Sequence, residues 1–280
     1  MKKSILFTVV CSSILMANND SEIVKFLTNA LNSNQSLENP KITMLRHENL
    51  DHPKNWSAEL IKISATLKQK GGKSVPVSET NTYFTDGRFL VNNMTDMKTG
   101  ERISLDIKFP SKYYLKENLI SGNVNSKHKV VIFSDPLCPF CKSKVPKALK
   151  FMMKKQDLYA VYYFDFPLKR IHPASETIVK IKDFLVNQKK ETPLNATLEM
   201  YDFEINPSVS NPAKIVKEFN KQMGYNISLK DIQGKNISKN LKKTMKIVEE
   251  IGIRSTPTFY FDGEHDKTGV KYRTILNKVK

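Results

Sequence analysis

Apolar and polar positions follow two different rhythms along this chain. Ile23, Phe26, Leu27 and Leu31 recur at helical spacing and predict an amphipathic helix near the start. After Asn39-Pro40 the rhythm changes to period two. Ile61, Ile63, Ala65 and Leu67 alternate with Lys62, Ser64, Thr66 and Lys68, which places the apolar set on one face of a strand. Tyr83-Phe84 and Phe89-Leu90-Val91 flank Asp86-Gly87, a hairpin signal, and Ile103, Leu105 and Ile107 alternate again after Thr99-Gly100. The expectation to about residue 107 is one helix over an antiparallel meander, whose open edges favour pairing with a second copy.

The second part reads differently. Val130-Val131-Ile132-Phe133 is an unbroken apolar run, as in a strand covered on both faces. Val145, Leu149 and Met152 then give a helical stripe, and Leu158 through Phe164 a second buried strand, together a β-α-β unit. Helical stripes follow at Ile178, Ile181, Phe184 and Leu185, at Ile215, Val216 and Phe219, and at Leu241, Met245 and Val248. Thr258 to Phe261 reads as a strand, Val270–Tyr272 as another, and a short helix closes the chain. The fold class expected is α/β. The divisions are a leader over 1–17, an α+β unit over 18–107, a linker with a short helix over 108–125, and an α/β unit over 126–280 with a helical insert at about 173–251.

Composition sharpens this in three ways. The 280 residues are 40% hydrophobic and 26% charged, the balance of a globular protein. The formal charge of +17 comes mostly from scattered lysines, with no arginine-rich stripe interleaved with aromatics, so no nucleic-acid partner is expected. Lys2-Lys3, the apolar Ile5–Met16 and the small Ala17 read as an export signal that would carry Cys11 away with it. Cys138 and Cys141 then remain, in a chain bound for an oxidising compartment.

A disulfide across two residues removes little loop entropy, so its use lies in reactivity. Cys138 falls between a buried strand and a helix, at the helix N-terminus, where unpaired N–H groups and the helix dipole favour a thiolate. Pro139 takes the first helical position, where no N–H is needed. Cys138 is therefore the candidate nucleophile, and Cys141, one turn on and facing inward, the candidate resolving thiol. Phe140 cannot donate to the thiolate as a histidine would, which predicts a weaker oxidant than a Cys-Pro-His-Cys enzyme. A zinc site needs about four ligands, and no second Cys-x-x-Cys or His-x₃-His accompanies this pair.

The stretch from Phe133 to Lys142 resembles the active-site segment of the thioredoxin superfamily, and within it of the periplasmic DsbC/DsbG disulfide isomerases. Pro146, Phe166-Pro167-Leu168, His172-Pro173 and the run Ile251 to Thr258 are similar to that family too. The resemblance implies a thioredoxin-like domain with a cis peptide bond before Pro257. Thr256 and Pro257 would hold an extended backbone edge beside Cys138 for a client strand. Tyr83 through Leu90 resembles the family's dimerisation domain, which implies a homodimer. The implied activity is periplasmic thiol–disulfide exchange on unfolded or misoxidised exported proteins, of isomerase or reductase type, served by a DsbD-like or DsbB-like membrane partner. A dimeric disulfide oxidase and a non-redox holdase are the alternatives. No metal or cofactor is implied beyond the redox-active Cys138–Cys141 pair.

Overall fold

The computed structural model describes residues 12–69, 72–105, 107–234 and 237–274, with the side chains of the first helix described from residue 22. Most of the expected leader thus lies outside the described residues. From Ser12 the chain is helical through Asn32 (α1). Among the described residues, no helix is long and apolar enough to cross a membrane. The chain divides into two compact units, Met1–Leu105 and Asp106–Lys280.

In the first unit, Ile23 and Leu27 of α1 pack on Ile61. Phe26 instead points outward and is exposed. Four antiparallel strands follow in sheet order β1-β2-β3-β4: Leu37–Asn49, Ser57–Lys68, Ser74–Thr85 and Leu90–Val91. The expected hairpin forms, with Phe84 opposite Val91, and Asp86 Oδ1 accepts from the Arg88 and Phe89 amides to shape its turn. Phe89 therefore belongs to the turn, not to a strand. The strand expected over Ile103–Ile107 is absent among the described residues. Among the described residues only its start is paired, by the Thr95–Arg102 bridge and the Ile103 amide donating to the Met94 carbonyl at 2.9 Å, and no ladder continues from there.

The second unit begins before the stretch expected as a linker has ended. Phe109 is buried and packs its ring on Tyr114, Phe133, Phe164 and Tyr260. Two short 3₁₀ turns, Ser111–Tyr113 and Lys116–Asn118, replace the expected helix, and Leu119–Ser121 (β5) joins the sheet. At the corner that follows, Gly122 has a φ of +76°, and a Cβ there would stand 2.0 Å from the Tyr159 carbonyl oxygen. No other residue type fits.

The core of this unit is a five-stranded sheet in the order β5-β7-β6-β8-β9. His128–Ser134 (β6) and Tyr159–Asp165 (β7) run parallel, joined by helix α2, Pro139–Met152. Phe133 stacks on Phe164 at 4.7 Å between centroids, a contact contributing about 0.5–1.5 kcal/mol beyond the area it buries. Helix α2 presents Cys141, Val145, Ala148, Leu149 and Met152 to the sheet, a stripe of helical period. Thr258–Phe261 (β8) pairs antiparallel with β6 and turns at Asp262-Gly263 into Glu264–His265 (β9). The strand expected at Val270–Tyr272 is thus displaced: the hairpin closes earlier, and Lys271–Thr274 is a short helix (α7).

Among the described residues, four α-helices lie between β7 and β8: α3 (Ser175–Asn187), α4 (Pro193–Asp202), α5 (Pro212–Met223) and α6 (Lys239–Glu250). Two of them start on the same local chemistry. Thr192 and Asn211 accept N-cap hydrogen bonds, and Pro193 and Pro212 take the first helical position. The buried stripe of α6 is Leu241, Thr244, Ile247 and Val248, with Met245 turned outward.

Asp183 of α3 is buried, and its Oδ2 has no hydrogen-bond partner. Burial first, then the charge of Asp165, pushes its carboxyl up to about 7, partly opposed by Lys182. The folded state therefore holds a proton that the unfolded chain releases near pH 3.8, and stability falls as pH rises from about 4 through 7. Asp183→Asn is expected to remove this fall. It should stabilise the protein at pH 8 by on the order of 3 kcal/mol, with little change at pH 4. Urea unfolding at the two pH values checks this; a variant no more stable than wild type at pH 8 contradicts it.

Candidate active site

The loop between β6 and α2 is built on one buried carboxylate. Asp135 is fully buried. Its Oδ1 accepts from the Leu137 amide at 2.7 Å and the Ser175 hydroxyl at 2.6 Å. Its Oδ2 accepts from the Leu168 amide at 2.7 Å and lies 3.1 Å from His172 Nδ1. These partners explain why Phe166-Pro167-Leu168 and His172-Pro173 accompany the cysteine motif. One side chain ties that segment and the start of α3 to the turn that leads into Cys138.

Cys138 is the N-cap of α2, with extended backbone (φ −68°, ψ 123°), and its carbonyl accepts the first helical hydrogen bond from the Lys142 amide at 2.9 Å. Pro139 occupies the first helical position, and the next amides, those of Phe140 and Cys141, have no intrahelical partner, while the Cys138 side chain itself makes no capping hydrogen bond. Both cysteines are free thiols. Cys138 is only 5% exposed, and its thiol donates to the Thr256 carbonyl oxygen at 3.4 Å. The large exposed side chain at the site is Phe140, 69% accessible.

The peptide bond before Pro257 is cis, and Thr256 just ahead of it is buried. The structure thus brings together Cys138, Pro139, Phe140, Cys141, Thr256 and Pro257, the residues singled out in the sequence.

Cys141 is completely buried. Burial pushes its thiol up to about 12, and hydrogen bonding to the sulfur from the Ser134 side chain and the Asp135 backbone offsets only part of that. The two sulfurs are therefore unequal: one at a helix end beside a backbone carbonyl, the other held protonated in the core.

Three neighbours were not assigned a role from the sequence. Ser134 Oγ lies 2.6 Å from Tyr201 Oη, which lies 2.7 Å from Tyr163 Oη, and all three residues are buried. Tyr201 comes from α4, a helix that the apolar stripes did not reveal, although Thr192-Pro193 marks its start. Lys142, next to Cys141, is tied to α4's end through the Phe203 carbonyl at 3.0 Å and Glu204 at 2.9 Å.

A family model described as Thioredoxin matches residues 115–279, more than half of the chain. The site and both partner segments lie inside that match. Among solved structures, a thioredoxin-like oxidoreductase from Silicibacter pomeroyi aligns at 14% identity and a TM-score of 0.46, covering 59% of this chain and 95% of that one. BdbD from Bacillus subtilis aligns at 17% identity and a TM-score of 0.47, covering 62% and 95%. The catalytic domain of Proteus mirabilis ScsC aligns at 18% identity and a TM-score of 0.44, covering 60% and 89%. A search of curated protein sequences found no match.

Proposed function

This chain belongs to the thioredoxin family, and from that premise we propose that it is a thiol–disulfide oxidoreductase of exported proteins, of isomerase or reductase type. The observation that carries the reading is the inequality of its two thiols: Cys138 caps α2 beside the Thr256 carbonyl, and Cys141 is buried behind it with its thiol pushed up to about 12. Nucleophilicity belongs to the thiolate, so attack on a client disulfide falls to Cys138. The Cys138 sulfur bonds to one client sulfur, and the other leaves as a thiolate. Cys141 then attacks Cys138 and frees the client, or the client's own thiol does so and the bond is reshuffled. The exposed ring of Phe140 and the cis-proline loop at Thr256-Pro257, just ahead of β8, would receive an unfolded client segment.

The wider setting belongs to the same proposal. Placement near the DsbC/DsbG group, a periplasmic location and a membrane redox partner rest on the motif resemblance. A homodimer is supported by the exposed Phe26 and Phe89 rings, which line one shallow groove of the first unit.

Cys141→Ala tests the reading directly. With the resolving thiol gone, mixed disulfides between Cys138 and clients should accumulate and be recovered on non-reducing gels. Recovery of none counts against exchange. The in vivo state of the wild-type pair then sets the direction: a reduced pair supports isomerase or reductase action, an oxidised pair the oxidase alternative.

A further inference from the structure

The buried thiol poses a physical problem that rests on the exchange reading above. To release a client, Cys141 must become a thiolate where water does not reach, and an unsolvated buried anion is unfavourable. Behind it stands a row of hydroxyls from three separate elements. Ser134 ends β6, Tyr163 lies in β7 and Tyr201 in α4, at 0%, 4% and 5% exposure. The separations are 2.6 Å from Ser134 Oγ to Tyr201 Oη and 2.7 Å from there to Tyr163 Oη. Cys141, Tyr163 and Tyr201 share one apolar cluster, and hydrogen bonding from the Ser134 side chain favours the ionised form of the Cys141 thiol.

We propose that Ser134, Tyr201 and Tyr163 are positioning residues for the resolving half of the reaction, a row of hydroxyl donors that stabilises the Cys141 thiolate in place of water. On ionisation, Ser134 Oγ–H turns to donate to the sulfur, Tyr201 Oη–H donates to Ser134, and Tyr163 Oη–H donates to Tyr201. Each bond in such a row polarises the next, and donation to a charged acceptor is stronger than between neutral groups. Both tyrosines keep their protons through this range, because burial holds their hydroxyls well above the usual tyrosine value. A row of donors is therefore in place whenever the sulfur ionises.

The step balances as an exchange. The Cys141 thiolate attacks Sγ of Cys138 in the mixed disulfide, the Cys138–Cys141 bond forms and the Cys138–client bond breaks. The client sulfur leaves with that bonding pair and takes up, by way of solvent, the proton that Cys141 gave up, so Cys141 is oxidised and the client sulfur reduced. The titratable neighbours are Cys138 on the same helix, Asp135 beyond Ser134, and the Asp165–Lys182 ion pair, whose ammonium lies 4.8 Å from the Tyr163 ring centre. Thr256 faces the thiol from the loop before β8.

The test uses reduced full-length protein and oxidised glutathione, with acid quenching and mass spectrometry. One sulfur of glutathione bonds to Cys138, and Cys141 then displaces it. For Tyr201→Phe, the glutathione adduct should form at the wild-type rate and close about tenfold more slowly at pH 7. The pH at which closure accelerates should also move upward. Tyr163→Phe, one hydroxyl further away, should shift both in the same direction by less. Closure of Tyr201→Phe at the wild-type rate with an unmoved pH profile overturns the proposal, as does equal slowing of adduct formation. Should Tyr201→Phe fail to fold, Ser134→Ala gives the same two readouts: slowed closure alone supports the proposal, and unchanged closure overturns it. A wild-type protein that forms no adduct at all sinks the exchange reading itself, a result distinct from either.

Discussion

Replacing Cys138 with alanine is expected to bring disulfide exchange down to the uncatalysed background while the fold persists. The sulfur is the atom that forms the mixed disulfide, so nothing else in the site can take its place. Cys141 has no route to a client, being fully buried with its thiol pushed up to about 12. At pH 7 a thiol held that far above neutrality is almost entirely protonated. Alkylation of the reduced protein should therefore show one fast thiol, kept in Cys141→Ala and lost in Cys138→Ala. Stability should change by only about 1 kcal/mol, since the substitution removes one small atom from a packed site. Unfolding curves run beside the exchange assay separate chemistry from folding. Activity that survives in Cys138→Ala would assign function to a holdase or to another group.

The parts of the fold that were legible in the sequence are those with local causes. Val130–Phe133 is apolar throughout because both its faces are covered, and Pro139 marks the start of α2 because a first helical residue needs no amide. The cysteine motif could be placed at a strand-to-helix junction for the same reason. Strand β1 was less visible. Register shifts between Glu38 and Lys41 and between Met44 and Arg46 interrupt its period of two. Alternation at Ile103–Ile107 misled in the opposite sense, because side-chain period says nothing about whether a neighbouring strand exists. Phe109 and the turns after it looked like a linker because their partners, Phe133, Phe164 and Tyr260, are distant in sequence.

The candidate site divides along the same line. Its reactive centre sits in ten consecutive residues and one later proline, so residue type and spacing were enough to find it. The surroundings of Cys141 are assembled from β6, β7 and α4. Tyr201 reaches Ser134 across 67 positions, a contact no periodicity contains. Asp135 stood within the recognised motif, yet its work became visible only once its hydrogen-bond partners did.

That work makes Asp135→Ala the substitution with the largest expected loss of stability, about 3–5 kcal/mol. The carboxylate is completely buried, and the amides of Leu137 and Leu168 and the Ser175 hydroxyl all donate to it at 2.6–2.7 Å, with His172 at 3.1 Å. Alanine leaves those donors buried without an acceptor, and each unsatisfied group costs about 1–3 kcal/mol before relaxation. Asn is expected to recover part of the loss, because its one oxygen can still serve the donors on one side while its NH₂ faces those on the other. The effect should reach the chemistry as well. Leu137 precedes Cys138, and the Cys138 amide itself donates to the Asp135 carbonyl at 3.2 Å, so a slackened turn loosens the helix cap that holds the nucleophile. Urea unfolding should rank wild type above Asp135→Asn and Asp135→Ala last, and alkylation of Cys138 in protein still folded should slow in that order. An alanine variant as stable as wild type would show that this turn is held by packing alone.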